Sequence, residues 1–250
     1  MTTERYEPFQ AYQTFERRPL DTECEQRLKG VTTSTLAAVL AKKGYADLFM
    51  PGLARVAGTQ PMVGLALTLR LLPDRPDGAI GPEDNARNPQ RVAVEGVRPG
   101  DIVVVDARND ARSGVIGDVL ATRMMVLDSA GIVTDGAIRD VAQLESVSLP
   151  IYCAGTHGAA SPSLHSYADV NLPVSCAGAR INPGDVIVGD ADGAVVIPRQ
   201  LAEEVARDAK EQEDMENWVL SRIKEGAGSV DYYPPNAARR AEYEAWKAQN

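Results

Sequence analysis

The sequence predicts an α/β or α+β fold in which helices lie on a mixed sheet, and three features carry that expectation. Arg98-Pro-Gly-Asp-Ile-Val-Val-Val-Asp106 and Asn182-Pro-Gly-Asp-Val-Ile-Val-Gly-Asp190 echo each other, each a Pro-Gly turn followed by a β-branched run. Those runs do not alternate apolar with polar residues, which is the pattern of strands covered on both faces. Segments with helical spacing fall among the strands instead of after them. At 250 residues, 44% hydrophobic and 24% charged, the chain suits one large domain or two small ones with a substantial core.

Taken in order, residues 1–30 read as an N-terminal arm. Tyr6, Phe9, Tyr12 and Phe15 recur every third residue there and suit one face of a helical turn or an arm packed on its own or a neighbouring subunit. From Thr32 the spacing turns helical, with Leu36, Val39 and Leu40 on one face and Gly44 placed to end the helix. Arg55 to Leu72 reads as two short strands, the second over Leu65 to Leu71. Pro73 to Arg91 lacks apolar period and reads as a lid or specificity loop, or else as a surface insertion.

Further strands are expected at Gly131 to Thr134, Pro150 to Ala154, Val174 to Cys176 and Ala194 to Ile197. Helices are expected at Asp118 to Ala130 and Val141 to Val147. The first of these carries Leu120, Met124, Val126, Leu127 and Ala130 as a core-facing stripe. The body is expected over residues 31–205 and a C-terminal helical extension over 206–250. A charged helix from Arg199 to about Glu225 turns Leu201, Val205, Val219 and Ile223 inward. Gly226 breaks it, and a short helix from Asn236 to Lys247 packs on the body or a neighbouring subunit.

A formal net charge of −9 argues against nucleic acid and anionic membranes as partners, since both demand clustered Lys and Arg. Met1 to Leu20 has no apolar stretch like a signal peptide, and no run reaches transmembrane length. Cys24, Cys153 and Cys176 are odd in number and widely spaced, as expected of reduced thiols in a cytoplasmic protein.

Chemistry concentrates in Gly114 to Leu144. Gly117 opens a helix at Asp118, so a small carboxylate can approach the free N–H groups of Asp118, Val119 and Leu120 and the positive end of the helix dipole. A plain structural reading is also available, with Gly117 for a tight turn and Asp118 as N-cap. Val133-Thr-Asp-Gly136 reads as a strand entering an Asp-Gly turn, followed by Arg139-Asp140 at the start of the next helix. A planar guanidinium suits a substrate carboxylate, and a lone carboxylate completed by water suits Mg²⁺. Asp140 equally suits an N-cap, with Arg139 in a salt bridge.

The remaining motifs are weaker. His157 and His165 form no zinc-ligand pattern, and no Gly-x-Ser-x-Gly occurs. His157 suits either a pocket proton donor or a satisfied loop histidine, while Asp190 and Asp192 read chiefly as turn residues. The lysines are Lys29, Lys42, Lys43, Lys210, Lys224 and Lys247, so none falls between residues 44 and 209. A covalent aldolase needs a desolvated lysine in the core, so this distribution favours metal over Schiff-base chemistry.

Gly117-Asp-Val-Leu-Ala121, Ala130-Gly-Ile-Val-Thr-Asp-Gly-Ala-Ile-Arg-Asp-Val141, Pro183-Gly-Asp185 and Asp190-Ala-Asp-Gly193 together resemble the RraA-like family. That family includes the class II 4-hydroxy-4-methyl-2-oxoglutarate/4-carboxy-4-hydroxy-2-oxoadipate aldolases. The resemblance covers roughly Thr32 to Glu204; the arm, the Pro73 to Arg91 loop and the tail exceed the compact members. It implies a layered α/β/β/α sandwich of the swivelling type, assembled as a homotrimer or a dimer of trimers with sites between subunits.

The resemblance further implies that pyruvate's carboxylate sits on the amides around Val119 and Leu120 and on Arg139. Asp140 would hold Mg²⁺ or Mn²⁺, and Asp118 would orient a metal-bound water. An acid supplied by a neighbouring subunit has no motif here to fix its position. The function so implied is a divalent-metal-dependent lyase on a 2-oxo acid, by aldol cleavage giving pyruvate, by oxaloacetate decarboxylation, or by both. The alternatives are a dehydratase or hydratase of a 2-keto-3-deoxy sugar acid and an RraA-type protein-binding regulator of ribonuclease E.

Overall fold

A computed structural model describes residues 17–75 and 82–249. The aromatic repeat at Tyr6, Phe9, Tyr12 and Phe15 and the middle of the Pro73 to Arg91 loop lie outside the described residues. The described chain opens with helices α1 (Thr22–Lys29) and α2 (Thr33–Lys42), then strands β1 (Phe49–Met50), β2 (Ala54–Ala57) and β3 (Met62–Pro73). A 3₁₀ turn (Pro82–Arg87) leads to α3 (Pro89–Glu95), β4 (Asp101–Asp106), β5 (Gly114–Ile116), α4 (Asp118–Val126), β6 (Gly131–Ile138) and α5 (Val141–Leu144). There follow β7 (Ile151–Thr156), β8 (His165–Val170), β9 (Val174–Cys176), β10 (Ala179–Ile181), β11 (Val186–Gly189) and β12 (Ala194–Ile197). The chain closes with α6 (Ala202–Lys224), α7 (Ser229–Tyr232) and α8 (Ala237–Lys247).

Eight strands run in the order β1-β12-β11-β3-β4-β6-β7-β2, with β5 added beside β6 and β8 beside β3, while β9 and β10 form a separate hairpin. The neighbours β3, β4, β6 and β7 are parallel, and β5 is parallel to β6. The remaining pairs are antiparallel, so the sheet is mixed as expected.

Alternation along the strands builds three apolar layers. Ile102 and Val104 of β4, Val133 of β6, Ile187 of β11 and Val196 of β12 meet inside the curled sheet. The residues between them face outward in two directions. Val186, Val188, Val195 and Ile197 pack under α1, α2 and α6, whereas Val103, Val105 and Ile132 pack with α3, α4 and α5. Helices therefore cover both outer faces of a sheet folded over its own core, and this gives the Val-rich runs their uniform burial.

Several elements depart from the pattern read in the sequence. The second strand is longer than Leu65 to Leu71, because Met62 and Val63 already pair with Gly189 and Val188 of β11. Residues 118–130 are helical only as far as Val126, and Asp128 takes a left-handed conformation. Val126 is 63% exposed, so the buried face of α4 is carried by Ala121 and Met124. Helix α1 packs Cys24 and Leu28 into the same layer as α6, which runs unbroken across residue 205.

The Asp135-Gly136 pair is not a turn. It forms a bulge within β6, where Thr134 pairs with Cys153 but Ala137 pairs with Gly155. Asp135 is fully buried and accepts the amides of Ala107 at 2.6 Å and Asn109 at 2.9 Å, bracing the loop after β4. Burial pushes its carboxyl upward against those hydrogen bonds.

Cys24, Cys153 and Cys176 are free and buried. Burial raises all three thiols, Cys24 to about 11, so none is a ready nucleophile. Among the described residues no helix is long and apolar enough to cross a membrane.

Candidate active site

Strands β5 and β6 run parallel and end level, with Ile116 opposite Ile138 and the amide of Arg139 donating to the Ile116 carbonyl at 3.1 Å. Gly117 and Arg139 therefore leave the same edge of the sheet side by side. This is the carboxyl end of the parallel strands, where open α/β sheets place their ligands. Two glycines make room for the arginine. A Cβ on Gly114 would lie 2.7 Å from Arg139 Cβ, and one on Gly117 would collide with Asp140 Oδ2. Gly117 itself is in extended backbone, so space and not φ demands glycine there.

Asp140 occupies the left-handed region (φ 60°, ψ 38°), which Asp tolerates better than most residues. It starts α5 through its carbonyl, which accepts from Gln143 and Leu144, and its carboxylate makes no capping bond. Arg139 Nε instead donates to Asp140 Oδ2 at 2.9 Å, the two side chains being 38% and 28% exposed. The salt-bridge reading of this pair holds, and the N-cap reading of the Asp140 side chain does not.

The N-cap of α4 is Gly117, with no side-chain capping bond, and Asp118 is the first helical residue. Asp118 Oδ1 accepts the Val119 amide at 2.7 Å, so of the three amides expected to be free, Val119's is engaged. The amides of Asp118 and Leu120 have no hydrogen-bond partner among the described residues. Val119 itself is 73% exposed.

Gly117, Asp118, Val119, Leu120, Arg139 and Asp140 all line one cavity of about 360 Å³. Four more lining residues were not legible in the sequence as part of the site: Gln90 and Arg91 come from α3, Ser161 from the loop after β7 and Tyr167 from β8. Gln90 and Arg91 carried a signal, as the last two residues of the segment read as a lid or specificity loop. Gln90 joins the walls by donating from Nε2 to the Val115 carbonyl at 2.6 Å. Tyr167 lies beside Ser161 and Gln90, and burial pushes its phenol upward.

His157 is absent from the cavity lining; its Nδ1 accepts the Ala159 amide at 3.0 Å, as a satisfied loop histidine does. Asp190 and Asp192 form a turn, the Asp192 amide donating to Asp190 at 2.9 Å, and the same carboxylate accepts from Thr33 at the start of α2. No lysine lines the cavity.

Among the described residues no three His, Cys, Asp or Glu side chains gather as a metal cage. The cavity offers two carboxylates, Asp118 and Asp140, each with one oxygen engaged by a neighbour. A few hard oxygen donors, with water for the rest, fit Mg²⁺ or Mn²⁺ and do not fit Zn²⁺, which takes histidine and thiolate ligands.

The family described as RraA-like, Aldolase/RraA, matches residues 33–196. The chain belongs to the RraA-like family. The matched span holds every strand of the sheet but for Ile197 and all the residues lining the cavity, and it leaves out α1 and the C-terminal helices. A Halalkalibacterium halodurans relative, provisionally named 4-hydroxy-4-methyl-2-oxoglutarate aldolase, is 44% identical over 46% of this chain and 54% of its own length. An Ectopseudomonas mendocina protein with the same provisional name is 31% identical over 48% of this chain and 72% of its own. The chain thus spans about half the length of the first of these relatives.

The crystal structure of Streptomyces coelicolor RraAS2, described as an unusual member of the RNase ES inhibitor RraA protein family, superposes with a TM-score of 0.73. It is 34% identical, over 84% of this chain and all of the other. The layered α/β architecture implied by the sequence motifs is the architecture of this RraA-like relative.

Proposed function

We propose that this chain is a divalent-metal-dependent lyase that releases pyruvate from a 2-oxo acid, by aldol cleavage, by oxaloacetate decarboxylation, or by both. One observation carries the reading: Arg139, Asp140 and the unpartnered amides at the start of α4 converge on a single cavity at the ends of two parallel strands. The names given to two relatives point the same way.

The substrate carboxylate rests on the amides of Asp118 and Leu120 and on the terminal nitrogens of Arg139, which have no partner among the described residues. That arrangement fixes the 2-oxo acid end of the substrate and lets the rest extend across the cavity. Asp140 would hold Mg²⁺ or Mn²⁺, which supplies Lewis-acid stabilisation of charge on the 2-oxo oxygen when bound. Arg139 aims the Asp140 carboxylate through its Nε.

Asp118, the second carboxylate of the cavity, takes the proton of the substrate's 4-hydroxyl, directly or through water. As the C3–C4 bond breaks, the hydroxyl-bearing carbon becomes a carbonyl, the bonding pair passes to the pyruvate fragment, and a proton returns at C3. We place the enzyme in a homotrimer or dimer of trimers, which light scattering of the purified protein checks.

The test is pyruvate release from 4-hydroxy-4-methyl-2-oxoglutarate and from oxaloacetate by protein stripped with EDTA and then resupplied with Mg²⁺ or Mn²⁺. Activity lost on stripping and restored by metal supports the reading, and no pyruvate from either substrate overturns it. Likeness to RraAS2 favours a second reading, a protein-binding regulator of an RNase E-type enzyme. Binding of that ribonuclease at micromolar concentration, by protein that releases no pyruvate, would favour it.

A further inference from the structure

In the function proposed above, a proton has to reach C3 of the pyruvate fragment, and Asp118 cannot be its source in every case. After aldol cleavage Asp118 has a proton to return, having just taken one from the 4-hydroxyl. Decarboxylation begins with the same carboxylate as base and leaves it none. Arg91 and Arg139 also line the cavity, but guanidinium groups do not deprotonate in proteins. The hydroxyls of the lining are those of Ser161 and Tyr167, and a phenol is much the stronger acid.

Tyr167 is held at the cavity by three elements. Its ring packs against the buried layer that includes Leu71 and Val115, and Leu71 is its strand partner on β3. The next pair in register joins Asp169 to Arg70, so Ala168 is an extra residue on β8, and a bulge of this kind re-aims the side chains beside it. The Tyr167 hydroxyl meets the side chains of Ser161 and Gln90, and Gln90 is tied to β5 by its 2.6 Å bond to the Val115 carbonyl. Burial pushes the phenol up, while Ser161, the Arg91 charge and Gln90 draw it down. Those three neighbours are the groups that support a phenolate once the proton has gone. The cavity holds only about a dozen waters at ~30 Å³ each, so a substrate seated at Arg139 reaches across it.

We propose that Tyr167 is the acid that protonates C3 of the pyruvate fragment, with Ser161, Gln90 and Arg91 supporting the phenolate that results. The O–H bond breaks and leaves its pair on the phenolate oxygen. The C3–H bond forms from the pair released when the C3–C4 bond breaks, and water then reprotonates the phenolate. The inference rests on the lyase reading proposed above.

The test is exchange of the pyruvate methyl protons for deuterium, followed by proton NMR in D₂O with Mg²⁺ present, which reads the same transfer in reverse. In the wild type the rate should climb about tenfold per pH unit between pH 6 and 9 as the phenolate fraction grows, since an ordinary phenol titrates at about 10. Y167F should lose about 10²-fold or more at pH 8, with pyruvate affinity within about twofold by calorimetry and the melting midpoint little changed. S161A, which removes one support of the phenolate and keeps the acid, should lose several-fold. Exchange by folded Y167F within about threefold of the wild type overturns the proposal. So does a wild-type rate flat in pH, which points to a carboxylate instead. If Y167F fails to fold, S161A decides, and unchanged exchange there overturns the proposal. A wild type that releases pyruvate from oxaloacetate but exchanges no methyl protons overturns the Tyr167 assignment and leaves the lyase reading standing, whereas one that does neither overturns both.

Discussion

Helices α2 and α4 begin in much the same way, yet the chain finishes only one of them. At α2, Thr32 accepts the Thr35 amide at 3.2 Å, and Asp190 accepts the Thr33 amide at 2.8 Å and its hydroxyl at 2.7 Å. Glu213 reaches across from α6 to Thr35 Oγ1 at 2.6 Å. Two carboxylates distant in sequence thus fill the positive end of that helix. At α4 the N-cap is a glycine, the Asp140 carboxylate lies against it without capping the helix, and Arg139 lines the same cavity as two unpartnered amides. The first helix start shows what amides and dipole do with an anion the protein owns. In the function proposed above, the second keeps the same seat for an anion it does not own. A functional helix terminus here differs from a structural one in being left unsatisfied, and that contrast can be broken by mutation.

The largest effect is expected from Asp140→Asn. Asparagine tolerates the left-handed backbone, so the variant removes charge while keeping shape. Pyruvate release in saturating Mg²⁺ should fall by about 10²- to 10³-fold, with the thermal midpoint little changed. Retention of turnover would mean that α4 opens on a cavity without chemistry. Next comes Gly117→Ala. Extended backbone accommodates alanine, but the added methyl drives Asp140 Oδ2 aside. A displacement near 1 Å should cost about 10²-fold in kcat/KM. Because the displaced atom ends a flexible side chain, stability should drop by only about 1 kcal/mol in urea titration.

What could be read beforehand follows the same division between satisfied and unsatisfied groups. The Val-rich runs announced β4, β11 and β12 because burial on both faces leaves a compositional trace. The near wall of the cavity was legible because Gly117, Arg139 and Asp140 lie within one short βαβ stretch. Asp135-Gly136 misled because turn residues also build bulges, and only the pairing of β6 with β7 distinguishes the two. Val126 misled because α4 is covered on a narrower face than its apolar content suggests. The rest of the cavity was barely legible, through Gln90 and Arg91 alone, which end the segment read as a lid or specificity loop. Arg91, Ser161 and Tyr167 meet there through the packing of α3 and β8 against the sheet edge, and no local pattern encodes that meeting.

Effects at α2 should be smaller and should spare the chemistry. Asp190→Ala removes the carboxylate that receives the Thr33 amide and hydroxyl, and loss of such a cap costs about 1–2 kcal/mol. The melting midpoint should fall by roughly 2–8 °C with pyruvate release per folded molecule unchanged. Asp192→Ala should do less still. Asp192 accepts only the exposed Ser34 hydroxyl at 2.8 Å, and its amide keeps its bond to Asp190 in the variant. Surface changes of this kind stay within about 0.5 kcal/mol, a shift of under ~2 °C. If Asp192→Ala were instead as damaging as Asp190→Ala, the two aspartates would act as one unit. The closure of α2 would then depend on the whole turn from Asp190 to Gly193 and not on a single carboxylate at its positive end.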